Sequence, residues 1–125
     1  MEYTYKLQII TPSEGIALQL NLLLGVNATN TDSGWWDLKL VQPGEKNEID
    51  FVTNFMDLLE GKYEELKRLG INRENISIWM LYAYNEECNI ELSPKDMKRM
   101  GDNGITLCIS CWEEGSTMII EEYEE

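Results

Sequence analysis

The stretch on which the fold turns is Thr11-Pro12-Ser13-Glu14-Gly15-Ile16-Ala17-Leu18-Gln19-Leu20-Asn21-Leu22-Leu23-Leu24-Gly25. Two readings compete for it. Ile16, Leu18, Leu20, Leu22 and Leu24 recur at every second position, the signature of a strand, which would make residues 16–24 the second arm of a hairpin turning at residues 11–15. Against this, Thr11-Pro12-Ser13-Glu14 offers a hydroxyl at the N-cap, proline at the first helical position and glutamate at the third. Such side chains satisfy the backbone N–H groups that a helix start leaves without partners. Leucine and alanine also favour helix over strand, and Gly25 can take the left-handed conformation that closes many helices. The balance predicts a helix from about Pro12 to Leu24, with the hairpin as its alternative.

On the N-terminal side, Tyr3, Tyr5, Leu7 and Ile9 alternate with Thr4, Lys6, Gln8 and Ile10, as in a strand with one buried face. On the other side a polar loop, residues 27–34, leads to Trp35-Trp36-Asp37-Leu38-Lys39-Leu40-Val41. Alternation puts Trp36, Leu38 and Leu40 inward and Trp35, Asp37 and Lys39 outward in a second strand, ended by Pro43-Gly44. From about Asn47 to Leu69, Val52, Phe55, Leu59, Tyr63 and Leu66 keep helical spacing, which predicts a long amphipathic helix. Gly61 in its middle costs about 1 kcal/mol relative to alanine and marks a place for a bend or break. Gly70 offers the stop.

The second half repeats this grammar. Residues 76–83 (Ile-Ser-Ile-Trp-Met-Leu-Tyr-Ala) are apolar on nearly both sides, as in a central strand. Ser93-Pro94-Lys95-Asp96 restates the helix-start signature, and the helix it opens ends near Gly101 with Lys98 and Arg99 in its last turn. Ile105, Leu107, Ile109 and Cys111 then alternate in a final strand. The expected fold is α+β: a four-stranded sheet with three helices mainly on one face, two similar strand-helix-strand units joined by a long helix. Residues 1–112 form the domain. Residues 113–125 form an acidic tail with six glutamates and no cation, in which Thr117-Met118-Ile119-Ile120 either adds a short edge strand or frays.

Composition narrows the function. The chain has 125 residues, with 10 basic and 23 acidic side chains, no histidine and a net charge of −13. Nucleic-acid binding draws on clustered cations, so the charge argues against it. The lack of histidine removes the commonest general base and transition-metal ligand. The longest apolar stretch, residues 16–26, is interrupted by Gln19 and Asn21 and falls short of the roughly 20 residues a membrane span needs. The N-terminus has neither the basic start nor the apolar run of a signal peptide, and three cysteines are an odd, sparse set, so a reducing, cytoplasmic setting is expected.

Candidate chemistry is thin. Cys108-Ile109-Ser110-Cys111 has the spacing of a redox dithiol, but residues three apart on a strand face opposite ways, and structural cysteines are the expectation. With Cys88 they make three thiolates, one short of a closed zinc site. Glu86, Glu87 and Glu91 could be an acid/base pair or hard-metal ligands, against the plainer reading of a solvated turn. No calcium loop or phosphate-binding loop is present, and no serine or cysteine has a histidine to activate it. No cofactor is implied. The aromatics are more informative, because Trp35 is expected to stand outward as an anchor for a partner.

The first strand running into Thr11-Pro12, the helix ending Leu23-Leu24-Gly25, Ala28-Thr29 and the tryptophan-led Trp36-Asp37-Leu38 form a recognisable series. It continues through Phe55-Met56-Asp57-Leu58-Leu59-Glu60 on the long helix and Glu91-Leu92-Ser93-Pro94. Over residues 5–112 the chain resembles an uncharacterised family of small bacterial domains, some of them grouped with immunity proteins beside toxin genes. The last strand departs from that pattern, ending Ser110-Cys111-Trp112 where the family carries an acid, an apolar and an aromatic residue. The resemblance implies the fold and a setting in which a small protein neutralises another.

The expectation is therefore a non-catalytic module that binds a protein, a basic one by charge, with Trp35, Glu86, Glu87, Glu121 and Glu122 as contact residues. The alternative is a small-molecule or sensor domain with a pocket between sheet and long helix, lined by Phe55, Trp79 and Tyr82. A homodimer through a sheet edge is a third reading.

Overall fold

In the computed structural model, which describes residues 2–31, 34–43, 49–84 and 90–113, Tyr3, Tyr5, Leu7 and Ile9 all project from one side of strand β1 (Glu2–Ile10) into the core. The chain continues through α1 (Glu14–Leu24), β2 (Trp35–Pro43), α2 (Phe51–Leu59), α3 (Tyr63–Arg68) and a short 3-10 helix at Arg73–Asn75. It then forms β3 (Ile76–Tyr84), α4 (Pro94–Asp102) and β4 (Thr106–Glu113). The strands make one mixed sheet in the order β2-β1-β3-β4, with β1 antiparallel to both neighbours and β3 parallel to β4.

Residues 14–24 are helix, so the capping and propensity argument wins over the alternation of leucines. The cap is not the one expected. Ser13 is the N-cap and its side chain makes no capping hydrogen bond, while Thr11 is buried outside the helix. Tertiary contacts hold that segment instead: Thr11 N–H donates to the Gly34 carbonyl at 3.0 Å, and Pro12 lies against Gly70, where an added Cβ would come within 3.3 Å of the proline ring. The same signature at Ser93 does cap, with Asp96 N–H donating to Ser93 Oγ at 3.1 Å and Pro94 opening α4. The expected long helix is two. Gly61 sits at φ 83°, in the left-handed region that breaks α-helical geometry, so α2 ends at Leu59 and α3 starts at Tyr63.

The two strand-helix-strand units are not alike. After α1 the loop returns to the end of β1 from which the chain left, tied there by the Thr11–Gly34 bond, so β2 runs antiparallel with Trp35 opposite Ile10. After β3 the chain passes through α4 back to the start of the strand, so β4 runs parallel with Thr106 opposite Ser77.

All four helices face one side of the sheet. Ala17, Leu20 and Leu24 of α1, Phe51, Val52, Phe55, Met56 and Leu59 of α2, Leu66 of α3 and Met100 of α4 join the inward residues of β1, Trp36 of β2, and Ile76, Ile78, Met80 and Tyr82 of β3. Ring stacking contributes: Tyr5 lies 4.6 Å from Phe51 and Tyr3 lies 4.4 Å from Tyr82, centroid to centroid. Burial and then neighbouring Tyr3 push the Tyr5 hydroxyl up to about 12, so it stays protonated at neutral pH.

A single side chain ties α1 to β2. Asn21 Oδ1 accepts from Trp36 Nε1 at 2.9 Å and from Ala28 N–H at 3.0 Å, joining helix, loop and the fully buried tryptophan. Asn21→Ala leaves both donors without that acceptor, so a loss of ~2–4 kcal/mol is expected by denaturant unfolding. The loss should shrink in a Trp36→Phe background, where one donor is already gone.

A second tie joins α4 to α2. Arg99 Nε donates to Glu60 Oε1 at 2.7 Å and Arg99 Nη2 to Asp57 Oδ1 at 2.6 Å. The hydrogen bond from Arg99 holds the Glu60 carboxyl below the usual range against a smaller opposing effect of burial, and the Arg99 charge and the Asn103 amide reinforce it. Because the folded value is the lower one, this stabilisation is present above the unfolded carboxylate value and is lost as pH falls through the folded value. The melting temperature of Arg99→Met should accordingly lie below that of the parent at neutral pH and converge towards it as the solution is acidified.

Candidate functional site

Since the helices occupy one side, the alternate residues of each strand form a second face that no described helix covers. Strand pairing sets its composition: Thr4, Lys6, Gln8 and Ile10 from β1, Trp35, Asp37, Lys39 and Val41 from β2, Ser77, Trp79, Leu81 and Ala83 from β3, and Thr106, Cys108, Ser110 and Trp112 from β4. Three of the four tryptophans are on this open face, and only Trp36 is on the other. Trp35 is 41% exposed and Val41 50%. Trp79 and Trp112 are half-buried.

The three tryptophans descend diagonally across the sheet. Trp112 lies opposite Ala83 near the C-terminal ends of β3 and β4, Trp79 lies opposite Lys6 at the centre, and Trp35 lies opposite Ile10 at the far end of β2. Along the strand direction successive tryptophans are offset by four residues, about 13 Å at ~3.3 Å per residue, and they also lie one or two strands apart. The central one is held: Trp79 Nε1 donates to Ser77 Oγ at 2.9 Å, and the Lys6 ammonium sits 5.1 Å from its ring centroid. Burial lowers the Lys6 ammonium from its usual value, with Asp37 acting against this and Lys39 adding to it.

Asp37 is the only carboxylate on this face among the residues whose side chains are described, and it is buried. Its backbone closes the outer edge of the sheet, since Thr29 N–H and Asn30 N–H donate to its carbonyl at 2.7 and 3.2 Å and its own N–H donates to the Asn30 carbonyl at 2.9 Å. Lys39 N–H donates to Thr29 Oγ1 at 3.0 Å in the same edge. Covering an edge strand this way blocks further strand addition there. The Asp37 Oδ1 atom, by contrast, accepts no hydrogen bond among the described residues.

The residues expected to act divide between locations. Trp35 stands outward, as alternation requires. Glu86, Glu87, Glu121 and Glu122, with Cys88 and the strand expected in the tail, lie outside the described residues. The expected pocket residues do not converge: Phe55 and Tyr82 are buried on the helix side while Trp79 belongs to the open face, so the three line no common cavity. Cys108 and Cys111 lie on opposite faces of β4, in register with Trp79 and Tyr82. Trp112 and Asp37 were not expected as site residues. Trp112 falls at even parity in a strand whose alternating apolar residues, Leu107, Ile109 and Cys111, are odd, so the alternation itself puts it on the open face, and its pairing with Ala83 agrees.

Among the described residues no helix is long and apolar enough to cross a membrane. The chain matches no family model, no curated protein and no solved structure. The placement of the tryptophans has an optical consequence: Trp35→Phe should remove the emission component most quenched by acrylamide, whereas Trp36→Phe should remove a blue-shifted component that resists quenching.

Proposed function

We propose that this chain is a non-catalytic protein-binding module, an immunity-type inhibitor of a cationic protein, that engages its partner through the open face of the sheet. The observation that carries the reading is the concentration of Trp35, Trp79 and Trp112 on the one face the helices leave uncovered. Tryptophan at a protein surface gives more binding energy per residue than other types, because a large rigid ring is buried at little entropic cost. Ile10, Val41 and Leu81 supply the apolar surroundings that exclude water from such anchors.

Charge supplies the choice of partner. A net charge of −13 attracts a basic protein from a distance and speeds encounter, while repelling the acidic majority. The Asp37 carboxylate lies buried beneath the Trp35 end of the face, where it can attract a cationic side chain through space but not meet it directly. The two lysines of the face restrict where a cationic side chain can settle, which favours the Asp37–Trp35 end over the Lys6 centre.

The test begins with capture of a basic protein from lysate and continues with purified components. Association should slow as salt rises, and Trp35→Ala and Val41→Glu should each weaken binding by roughly 10-fold or more without altering the circular dichroism spectrum. An association rate indifferent to salt, or binding unchanged by both substitutions, would overturn the reading.

A further inference from the structure

α4 is closed by Asn103, the one asparagine in the chain that a glycine follows. The fold uses both residues of the pair. Gly104 has φ 70°, in the left-handed region that favours glycine, and turns the chain from α4 towards β4. Asn103 is a junction: its side-chain amide donates to the Arg99 carbonyl at 2.8 Å and to Glu60 Oε1 at 3.3 Å, and its carbonyl accepts from Arg73 Nη1 at 3.1 Å. Asparagine before glycine is also the pair that cyclises most easily, because no Cβ shields the nitrogen that follows.

Cyclisation needs two freedoms that this structure withholds. The Gly104 nitrogen has to reach Asn103 Cγ, so the side-chain amide must swing away from Arg99 and Glu60. The Gly104 N–H must also be released, and here it donates to the Gly101 carbonyl at 3.0 Å. Both restraints belong to the last turn of α4, which is anchored by the Arg99 guanidinium bound to Asp57 and Glu60. Gly104 is exposed, so water and hydroxide reach this peptide as soon as that turn opens.

We propose that Asn103 is a site of spontaneous deamidation, held off by the tie between α2 and α4, and that the reaction undoes this tie irreversibly. The Gly104 nitrogen, its proton taken by hydroxide, attacks Asn103 Cγ. The new C–N bond closes a cyclic imide, and the side-chain nitrogen leaves as ammonia. Water then opens the imide at either carbonyl to give aspartate or isoaspartate, so that one water is consumed, one ammonia is released and nothing is oxidised or reduced. The new carboxylate replaces the amide that donated to Glu60 Oε1, and it stands at a helix C-terminus, where the dipole repels negative charge. Arg99 is already shared between Asp57 and Glu60. Isoaspartate also adds a backbone atom just before Ile105, which is buried and donates to the Met100 carbonyl at 2.9 Å. The inference is independent of the open-face reading, because these groups belong to the helix layer.

Peptide mapping by mass spectrometry of the full chain, incubated in mildly alkaline buffer, tests it. The peptide holding Asn103 should acquire the mass of an acid in place of an amide, with isoaspartate among the products, roughly 10-fold or more slowly in native buffer than in urea. Arg99→Met should speed the native reaction by roughly 5-fold or more, since two charged hydrogen bonds no longer hold the turn. Asn21→Ala, which weakens the fold at α1 instead, should leave the rate within roughly 2-fold, because the opening that matters is local. In a separate measurement Asn103→Asp should melt below the parent at neutral pH, with the gap narrowing as acid protonates its carboxylate and that of Glu60. Equal rates in native buffer and urea, an Arg99→Met rate no faster than the parent's, an Asn21→Ala rate raised as much as that of Arg99→Met, or an Asn103→Asp chain as stable as the parent would each overturn the proposal.

Discussion

A sheet has two faces, and in this chain every described helix is spent on one of them. That constraint organises the rest. With α1, α2, α3 and α4 all on one side, the inward positions of β1 and β3 must be apolar without exception, and they are: Tyr3, Tyr5, Leu7 and Ile9, then Ile76, Ile78, Met80 and Tyr82. The outward positions are released from that demand. They nevertheless carry three tryptophans, two isoleucine or valine side chains at the margins and a lysine held over an aromatic ring. Apolar area that folding leaves in water carries no stabilising benefit for the isolated domain, which is why this face invites a reading in terms of association.

Much of this was legible in the residues themselves. Strand and helix periods differ enough that β1, β2, β3 and β4 could be located, and the inward turn of Trp36 against the outward turn of Trp35 follows from parity alone. Where tertiary contacts compete with local signals, the local signals misled. Thr11-Pro12-Ser13-Glu14 and Ser93-Pro94-Lys95-Asp96 read alike, yet only Ser93 caps its helix, because Thr11 and Pro12 are drawn away by Gly34 and Gly70. Gly61 could be flagged as a weak point but not as a break, since glycine is tolerated inside helices when its φ stays negative.

The candidate site was less legible than the fold. A strand apolar on both sides, such as β3, gives no parity signal, so Trp79 could be assigned to the core until its register with Lys6 and Cys108 was known. The direction of β2 was equally hidden: an excursion through a helix usually joins parallel strands, and here a return loop pinned at Thr11 makes it antiparallel.

The position of β1 between β2 and β3 also bears on how the chain assembles. β1 is the first strand of the domain to leave the ribosome, and it gains β2 as soon as the first helix and its loop have been made. Its other edge stays open until β3 appears far downstream, with Tyr3 waiting for Tyr82. Closing that long gap is the entropically expensive step, so β1–β3 pairing should limit the folding rate, with β4 joining afterwards through its short helical crossover. During synthesis the nascent β1–β2 ribbon therefore exposes an unpaired apolar edge, the period in which a chaperone would have most to protect.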